Sequence, residues 1–329
     1  MKRALFVGID HYPNVPLNGC IADARAMASV LERNEDGTRN YDVRVITSDT
    51  DPIERSHLRS LMAELFENAR DTQLLFYFAG HGAESPWGAE LVTQDYQQNS
   101  LGVSMNDVIT LANASPAWEV VIILDCCFSG DLANLPGLQA DAISPAFRLS
   151  RAVLREGVTL LAASRATQTS AEVDGHGAFT RLLFEGLQGA AADHIGNVTA
   201  LSLYDFASRA FSAWEQRPVF KSHVTQPAIL RVCKPPIDRD LLVRLSTYFE
   251  KADTRIRMTP EYEGTRPIPL GVEPTPEQKA FDYFKSLRNA SLLITEGNKD
   301  LYFVALDSEE VFLTATGRYF WRLAKEGRL

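Results

Sequence analysis

The sequence predicts an α/β fold: helices on both faces of a mostly parallel six-stranded sheet, followed by a small α+β module. Three observations carry this. Apolar residues run uninterrupted through Leu74–Ala79 and Val120–Leu124, as strands buried on both faces require. Strand-like and helix-like stretches alternate from Ala4 to Val232, the order that builds a parallel sheet. Lys234-Pro235-Pro236 then breaks the pattern, since consecutive prolines suit an extended linker. The chain thus divides into residues 1–234 and 235–329.

Taken in order, Ala4–Ile9 is the first buried strand and Asp10–Gly19 a loop. Cys20–Arg33 has helical apolar spacing at Ala24, Met27, Ala28 and Leu31. Tyr41–Thr47 is the second strand. Asp51-Pro52 opens a helix, with Asp51 as N-cap and Leu58, Leu61, Leu65 and Phe66 as its apolar face. Leu74–Ala79 is the third strand, Gly88–Thr93 a short hairpin strand, and Ser104–Asn113 a helix capped by Ser104. Val120–Leu124 is the fourth strand. Phe128–Glu156 is long and irregular, and connections of that length inside α/β domains are often functional. Val158–Ala163 is the fifth strand. Gly177-Ala-Phe-Thr180 leads into a helix, Leu203–Trp214 is another, and Ala228–Val232 is the last strand. Beyond the linker the pattern gives helix Leu241–Lys251, a Pro-rich stretch from Met258 to Pro276, helix Glu277–Asn289, a hairpin of Leu301–Asp307 with Glu310–Thr314, and helix Thr316–Lys325.

With 329 residues, 45% of them hydrophobic, the chain can bury a sizeable core. A net charge of -9 argues against a nucleic-acid partner. No apolar run reaches membrane-spanning length. The N-terminal apolar stretch is too short for a signal peptide and runs straight into Asp10 and His11. The four cysteines show no metal-type pairing, so reduced thiols and a cytoplasmic location are expected.

The chemistry gathers at two strand ends. Gln73–Ala79 runs into Gly80-His81-Gly82, and Trp118–Leu124 runs into Asp125-Cys126-Cys127-Phe128-Ser129-Gly130. The C-terminal edge of such a sheet is where ligand sites form. One buried strand delivering Cys and a second delivering His suggest a cysteine nucleophile with its base. Strand alternation sends Cys126 and Cys127 to opposite faces without saying which is the nucleophile. Taken alone, His81 would be read as a satisfied core histidine; its place between two glycines beyond a strand, with a matched Cys, favours the base.

Ala79-Gly-His-Gly82 and Asp125-Cys-Cys-Phe-Ser-Gly130 resemble the His and Cys motifs of caspase-like cysteine peptidases, and of metacaspases and their bacterial kin in particular. The spacing from His81 to Cys127 agrees with the caspase pattern of a His about 50 residues upstream of the Cys. Asn18–Ala24, Ala162–Arg165, Gly177–Thr180 and Gln226-Pro227 resemble further family elements in the right order, so the resemblance spans about residues 1–233. It implies a three-layer caspase-like fold and a cysteine endopeptidase. It also selects Cys127 as nucleophile, leaving Cys126 as a small buried residue beneath the site. His81 would take or return a proton, and the backbone amides of Gly82 and Cys127 would hold the oxyanion.

The resemblance further implies that Asp23 and Asp125 line an acidic pocket for the residue before the cut, so that protein substrates are cleaved after Arg or Lys. Asp125, directly after an apolar run, needs a partner or a cationic ligand in any case. Ser164 either lines the same pocket or is a plain strand-end hydroxyl. Arg148, Arg151 and Arg155 lie in the long segment where caspase-like zymogens are cut, and they are candidate self-cleavage sites. No metal or other cofactor is expected. The acids between Ala83 and Asp95 are scattered, unlike the alternating carboxylates of a calcium loop, which argues against calcium dependence.

Residues 235–329 hold no chemical constellation. Leu313–Gly317 and Tyr319–Trp321 resemble a winged-helix tail, and near-neutral charge favours an adaptor or regulatory module for a partner protein over a DNA binder. Phe320 and Trp321 are expected in its core. The competing readings are a catalytically silent caspase-like scaffold and a different thiol enzyme such as an acyl transferase. The intact His81 and Cys127 speak against the scaffold. A role in bacterial defence or cell death is an expectation from kin.

Overall fold

The computed structural model describes residues 1–85, 88–97, 100–127, 153–163, 177–210, 218–263 and 273–329, with the backbone alone at positions 84, 85 and 127. The chain forms two compact units: Met1–Asp193 with Asn197–Lys234, and Pro235–Leu329 with His194–Gly196.

In the first unit the strands are β1 (Lys2–Gly8), β2 (Asp42–Thr47), β3 (Gln73–Ser85), β4 (Gly88–Gln97), β5 (Ser100–Ser104), β6 (Glu119–Cys127), β7 (Val158–Ala162), β8 (Asn197–Thr199), β9 (Val219–His223) and β10 (Ile229–Val232). The helices are α1 (Cys20–Glu32), α2 (Arg55–Phe66), α3 (Met105–Ala114), α4 (Ala178–Glu185) and α5 (Ala200–Ala210). The main sheet runs β2-β1-β3-β6-β7-β9. All its pairings along this path are parallel except that of β9, which is antiparallel to β7. The period-two alternation of buried strands then sorts the side chains. Leu74, Phe76, Phe78, Val120, Ile122 and Leu124 pack with Leu58 and Met62 of α2 and Val108 of α3. Leu75, Tyr77, Val121 and Ile123 pack with Met27 and Leu31 of α1, Leu183 of α4 and Leu203 of α5. These are the three layers the sequence predicts.

Several expectations are corrected. The sixth sheet strand is Val219–His223, whereas Ile229–Val232 pairs with β8 in a separate two-stranded ribbon. An antiparallel edge strand carrying Lys221 and His223 needs no continuous apolar run, so it gives no buried-strand signal. Helix α2 starts at Arg55, with Glu54 rather than Asp51 at its N-cap. The entry to the helix is tied to the end of β4: Ile53 N donates to Gln94 Oε1, and N of Arg55, the first helical residue, to Asp95 Oδ1. Strand β3 continues beyond Ala79 because Gly82–Ser85 pair with Gly88–Leu91 of β4. The Ser104 cap holds as predicted, accepting from Asp107 N at 3.0 Å.

In the second unit, Leu241–Lys251 is two short helices, α6 (Arg239–Val243) and α7 (Leu245–Tyr248), rather than one. They are followed by β11 (Arg255–Arg257), α8 (Pro276–Asn289), β12 (Leu293–Thr295), α9 (Leu301–Leu306), β13 (Glu310–Leu313) and α10 (Ala315–Lys325). The strands form an antiparallel sheet in the order β11-β13-β12. Leu301–Leu306 is a helix, not the predicted strand. Asp300 caps it by accepting from Tyr302 N, and Leu301, Val304 and Ala305 bury one face at helical spacing. Phe320 is buried, and Trp321 Nε1 donates to Phe249 O at 2.7 Å, so both serve the core as expected.

Candidate active site

Strands β3 and β6 are parallel neighbours, and their register runs to the end: Ala79 pairs with Asp125, Gly80 with Cys126, His81 with Cys127. The two motifs are therefore opposite one another across a single inter-strand step, about 5 Å in any sheet. Cys126 is 1% exposed and packs in the α2–α3 layer with Leu124 and Phe78, as expected of the residue beneath the site. Cys127 takes the next register position; its side chain lies outside the described residues, as do Ser164, Arg148 and Arg151.

His81 is 6% exposed and held on several sides. Its Nε2 lies 2.8 Å from Val15 O. A carbonyl only accepts, so Nε2 carries the proton, and in the neutral imidazole Nδ1 is the nitrogen able to take one. The His81 backbone N–H donates to Tyr12 Oη at 3.1 Å, and the Tyr12 hydroxyl donates to Val92 O of β4. The two rings pack 4.7 Å apart, centroid to centroid. A side chain on Gly80 would meet Tyr12 Oη at 2.5 Å, which is why the residue before His81 has none. Burial pushes the Tyr12 phenol well above its usual pKa, so it stays neutral.

Tyr12 and Val15 belong to the loop between β1 and α1, and Asp10 pins that loop. Its carboxylate accepts from Cys20 N at 2.9 Å and from Ile21 N at 3.2 Å, satisfying two open donors at the start of α1. Sequence reasoning missed Tyr12 and Val15. A tyrosine in a Pro-containing loop has many ordinary uses, and a backbone carbonyl leaves no trace in the residue alphabet. Gly82, one position beyond His81, is buried and pairs with Leu91 of β4.

The structure brings Asp23 and Asp125 together. A Cβ on Gly177 would lie 3.0 Å from Asp125 Oδ2 and 3.2 Å from Asp23 Oδ2, so both carboxylates converge on one point at the start of α4. Gly177 N donates to Asp23 Oδ2 at 3.1 Å, and Thr180 Oγ1 donates to Asp125 Oδ2 at 2.5 Å. Thr180 Oγ1 also lies 2.6 Å from Tyr77 Oη. Burial is the main cause that pushes Asp125 up to about 6. The Thr180 hydrogen bond opposes it and the charge of Asp23 adds to it. Burial, then the charges of Asp10, Asp125 and Asp23, hold the Cys20 thiol far above the usual range, so it stays protonated. Thr180 is a further residue missed: it sits inside a motif, yet nothing in its spacing says that it bonds to Asp125.

Arg155 is the one candidate self-cleavage site within the described residues. Its guanidinium donates to Ser115 O at 3.1 Å and Ala117 O at 2.8 Å, and its amide donates to Asn113 Oδ1. It anchors the end of α3. The described acids following the His motif are also engaged: Glu90 accepts from Gly102 N, and Asp95 accepts from Arg55 N and the Thr93 hydroxyl.

The model of the caspase domain family matches residues 1–229. Metacaspase-3 of Trypanosoma cruzi is 26% identical over 203 residues, 54% of this chain and 56% of that protein. Metacaspase-5 of Trypanosoma brucei brucei is 30% identical over 151 residues, 41% of this chain and 30% of that protein. The chain thus spans little more than half the length of the first relative and less of the second. Among solved structures, pro-sf-caspase-1 aligns with a TM-score of 0.47 at 13% identity, over 71% of this chain and 90% of that one.

Proposed function

We infer the activity from one premise: the chain belongs to the caspase-domain family of cysteine peptidases. We propose that it is a cysteine endopeptidase using His81 and Cys127 and cleaving protein substrates after Arg or Lys. The observation that carries the dyad is the parallel register opposing His81 to Cys127, with His81 Nε2 already committed to Val15 O. That commitment leaves Nδ1 to take the thiol proton and to return one to the leaving amine. The Cys127 thiolate attacks the scissile carbonyl, the amides of Gly82 and Cys127 receive the oxyanion, and water releases the acyl-enzyme. The convergence of Asp23 and Asp125 supports the basic preference.

Hydrolysis of fluorogenic peptides with Arg, Lys or Asp before the reporter tests this. Arg and Lys peptides are expected to turn over, and Cys127→Ala to lower the rate by more than about a thousandfold. Turnover of Asp peptides instead would keep the peptidase and remove the acidic pocket. A second reading has its own support: the same carboxylates hold the first turn of α4, so they could be a clamp only. Under that reading Asp125→Asn lowers melting temperature without changing the Arg preference.

We propose no cofactor, since Glu90 and Asp95 are committed to backbone amides; EDTA is expected to leave turnover unchanged. Self-cleavage is proposed after Arg148 or Arg151, because Arg155 is tied to α3. Intact-mass spectra of aged wild type against Cys127→Ala check it, and an unbroken wild-type chain would refute it. The exposed Phe303, Leu306 and Tyr319 support a partner-binding role for the second unit. A reducing, cytoplasmic setting is consistent with the reduced thiols of Cys20, Cys126 and Cys233. No helix among the described residues is long and apolar enough to cross a membrane.

A further inference from the structure

Building on the cationic pocket proposed above, we propose that Tyr77 and Thr180 form a hydroxyl relay that fixes Asp125 in the orientation that receives a guanidinium or ammonium group. They are positioning residues, and through Asp125 they set how strongly the enzyme prefers basic side chains.

The direction of the relay follows from counting protons. An ionised carboxylate only accepts, so the Thr180 hydroxyl gives its one proton to Asp125 Oδ2, 2.5 Å away. The Tyr77 hydroxyl, 2.6 Å from Thr180 Oγ1, must then donate to it. Tyr77 is fully buried in β3, and Thr180 is 1% exposed in the first turn of α4. The chain of bonds thus crosses from the strand bearing His81, through α4, to the strand bearing Cys127. Neither hydroxyl has solvent to fall back on, and successive bonds in a low-dielectric interior strengthen one another.

A fixed carboxylate matters because a guanidinium fork is recognised by geometry as well as by charge. Ionisation matters equally. Among the described residues, the titratable groups facing Asp125 are Asp23 and Cys20 on α1 and Tyr77 on β3, and none of these supplies a positive charge. Burial pushes Asp125 up to about 6, and Thr180 is the largest influence opposing it. Without that hydroxyl the carboxyl moves further up, towards the range where it is protonated at neutral pH and a cationic side chain meets no full charge.

The test compares wild type, Thr180→Val, Thr180→Ser, Tyr77→Phe and Asp125→Asn. For Arg peptides, Thr180→Val is expected to raise KM by about tenfold with a smaller change in kcat, the size expected for one hydrogen bond to a charged group. It should also shift the acid limb of kcat/KM to higher pH. Thr180→Ser should restore both, and Tyr77→Phe should move both the same way by less. The pH profile of Cys127 alkylation by iodoacetamide, which does not use the pocket, should stay put. A 13C carboxyl titration of Asp125, identified by its loss in Asp125→Asn, reads the relay without any substrate and should move up in Thr180→Val. An unchanged limb and KM in Thr180→Val, with wild type active on Arg peptides, overturns the relay and spares the peptidase reading. Wild type inactive on Arg and Lys peptides removes the pocket, and the proposal with it, whatever the titration gives.

Discussion

At the scale of single residues, the chemistry depends on where protons sit. On the proposed reading, in which Asp125 holds a cationic side chain, it must be ionised to do so, and burial pushes its carboxyl up to about 6. Turnover of Arg peptides is therefore expected to fall as pH drops through about 6, and Asp125→Asn should abolish that dependence along with most of the Arg preference. A second titration acts on stability. Glu119, 2% exposed at the start of β6, has no hydrogen-bond partner for either carboxylate oxygen among the described residues. Burial pushes its carboxyl from 4.5 up to about 7 against the pull of Lys2. The folded state thus binds more protons than the unfolded state between those values, so this contribution is full below 4.5 and is lost as pH rises through 7. Glu119→Gln is expected to flatten the fall in melting temperature between about pH 5 and pH 8; an unchanged slope would refute the assignment. The sequence places Cys127, His81 and Asp125 at the ends of apolar runs, and the register of β3 and β6 sets His81 opposite Cys127 and Ala79 opposite Asp125. Tyr12 and Val15 were not legible in the sequence, since their contributions are a phenol in a loop and a main-chain oxygen.

At the scale of elements, the site is a crossing of two kinds of pairing. On one side β3 follows β6 in parallel register to His81, and on the other it turns into a ribbon with β4 from Gly82 onward. Tyr12 stitches this crossing to the loop after β1. Tyr12→Phe keeps the ring against His81 but removes the hydroxyl that joins the His81 amide to the Val92 carbonyl. It is expected to cost about 1–3 kcal/mol of stability and, on the proposed dyad, to slow turnover more than it changes KM; a variant with wild-type kcat would exclude a part in fixing His81 for catalysis. Where the sequence misled, a local rule had two outcomes. Leu301–Leu306 is apolar enough for either a strand or a helix, and the Asp300 cap with its helically spaced buried face decided it. Asp51 is an acceptable cap, but the acceptor that reaches Arg55 N is Asp95, forty residues further along the chain. Such long-range acceptors are invisible to any window that reads a few residues at a time.

At the scale of the whole molecule, the two units have separate cores. The first is built around strand residues such as Phe76, Phe78, Ile122 and Ile123, and the second around Leu245, Leu287 and a group of rings, with Tyr248 stacked on Tyr283 at 4.4 Å and Phe249 beside Phe284. Calorimetry of the full chain is therefore expected to resolve two unfolding transitions, and Phe284→Ala to lower one of them without moving the other. A single transition that shifts as a whole would show the units to be one cooperative body. The two compact units meet between Lys234 and Pro235, and the attachment of His194–Gly196 to the second unit leaves no mark in the sequence, because a three-residue excursion changes neither composition nor periodicity.

The loop after β1 has a consequence for how such chains are recognised. It supplies His81 with a carbonyl from Val15 and a hydroxyl from Tyr12, and Asp10 clamps it to α1. None of these lies in the Cys or His motif. A relative with both motifs intact but this loop shortened would pass any motif search as an active peptidase, while its histidine had lost the acceptor that selects the tautomer. Catalogues of active and inactive members drawn from the dyad alone would misfile it.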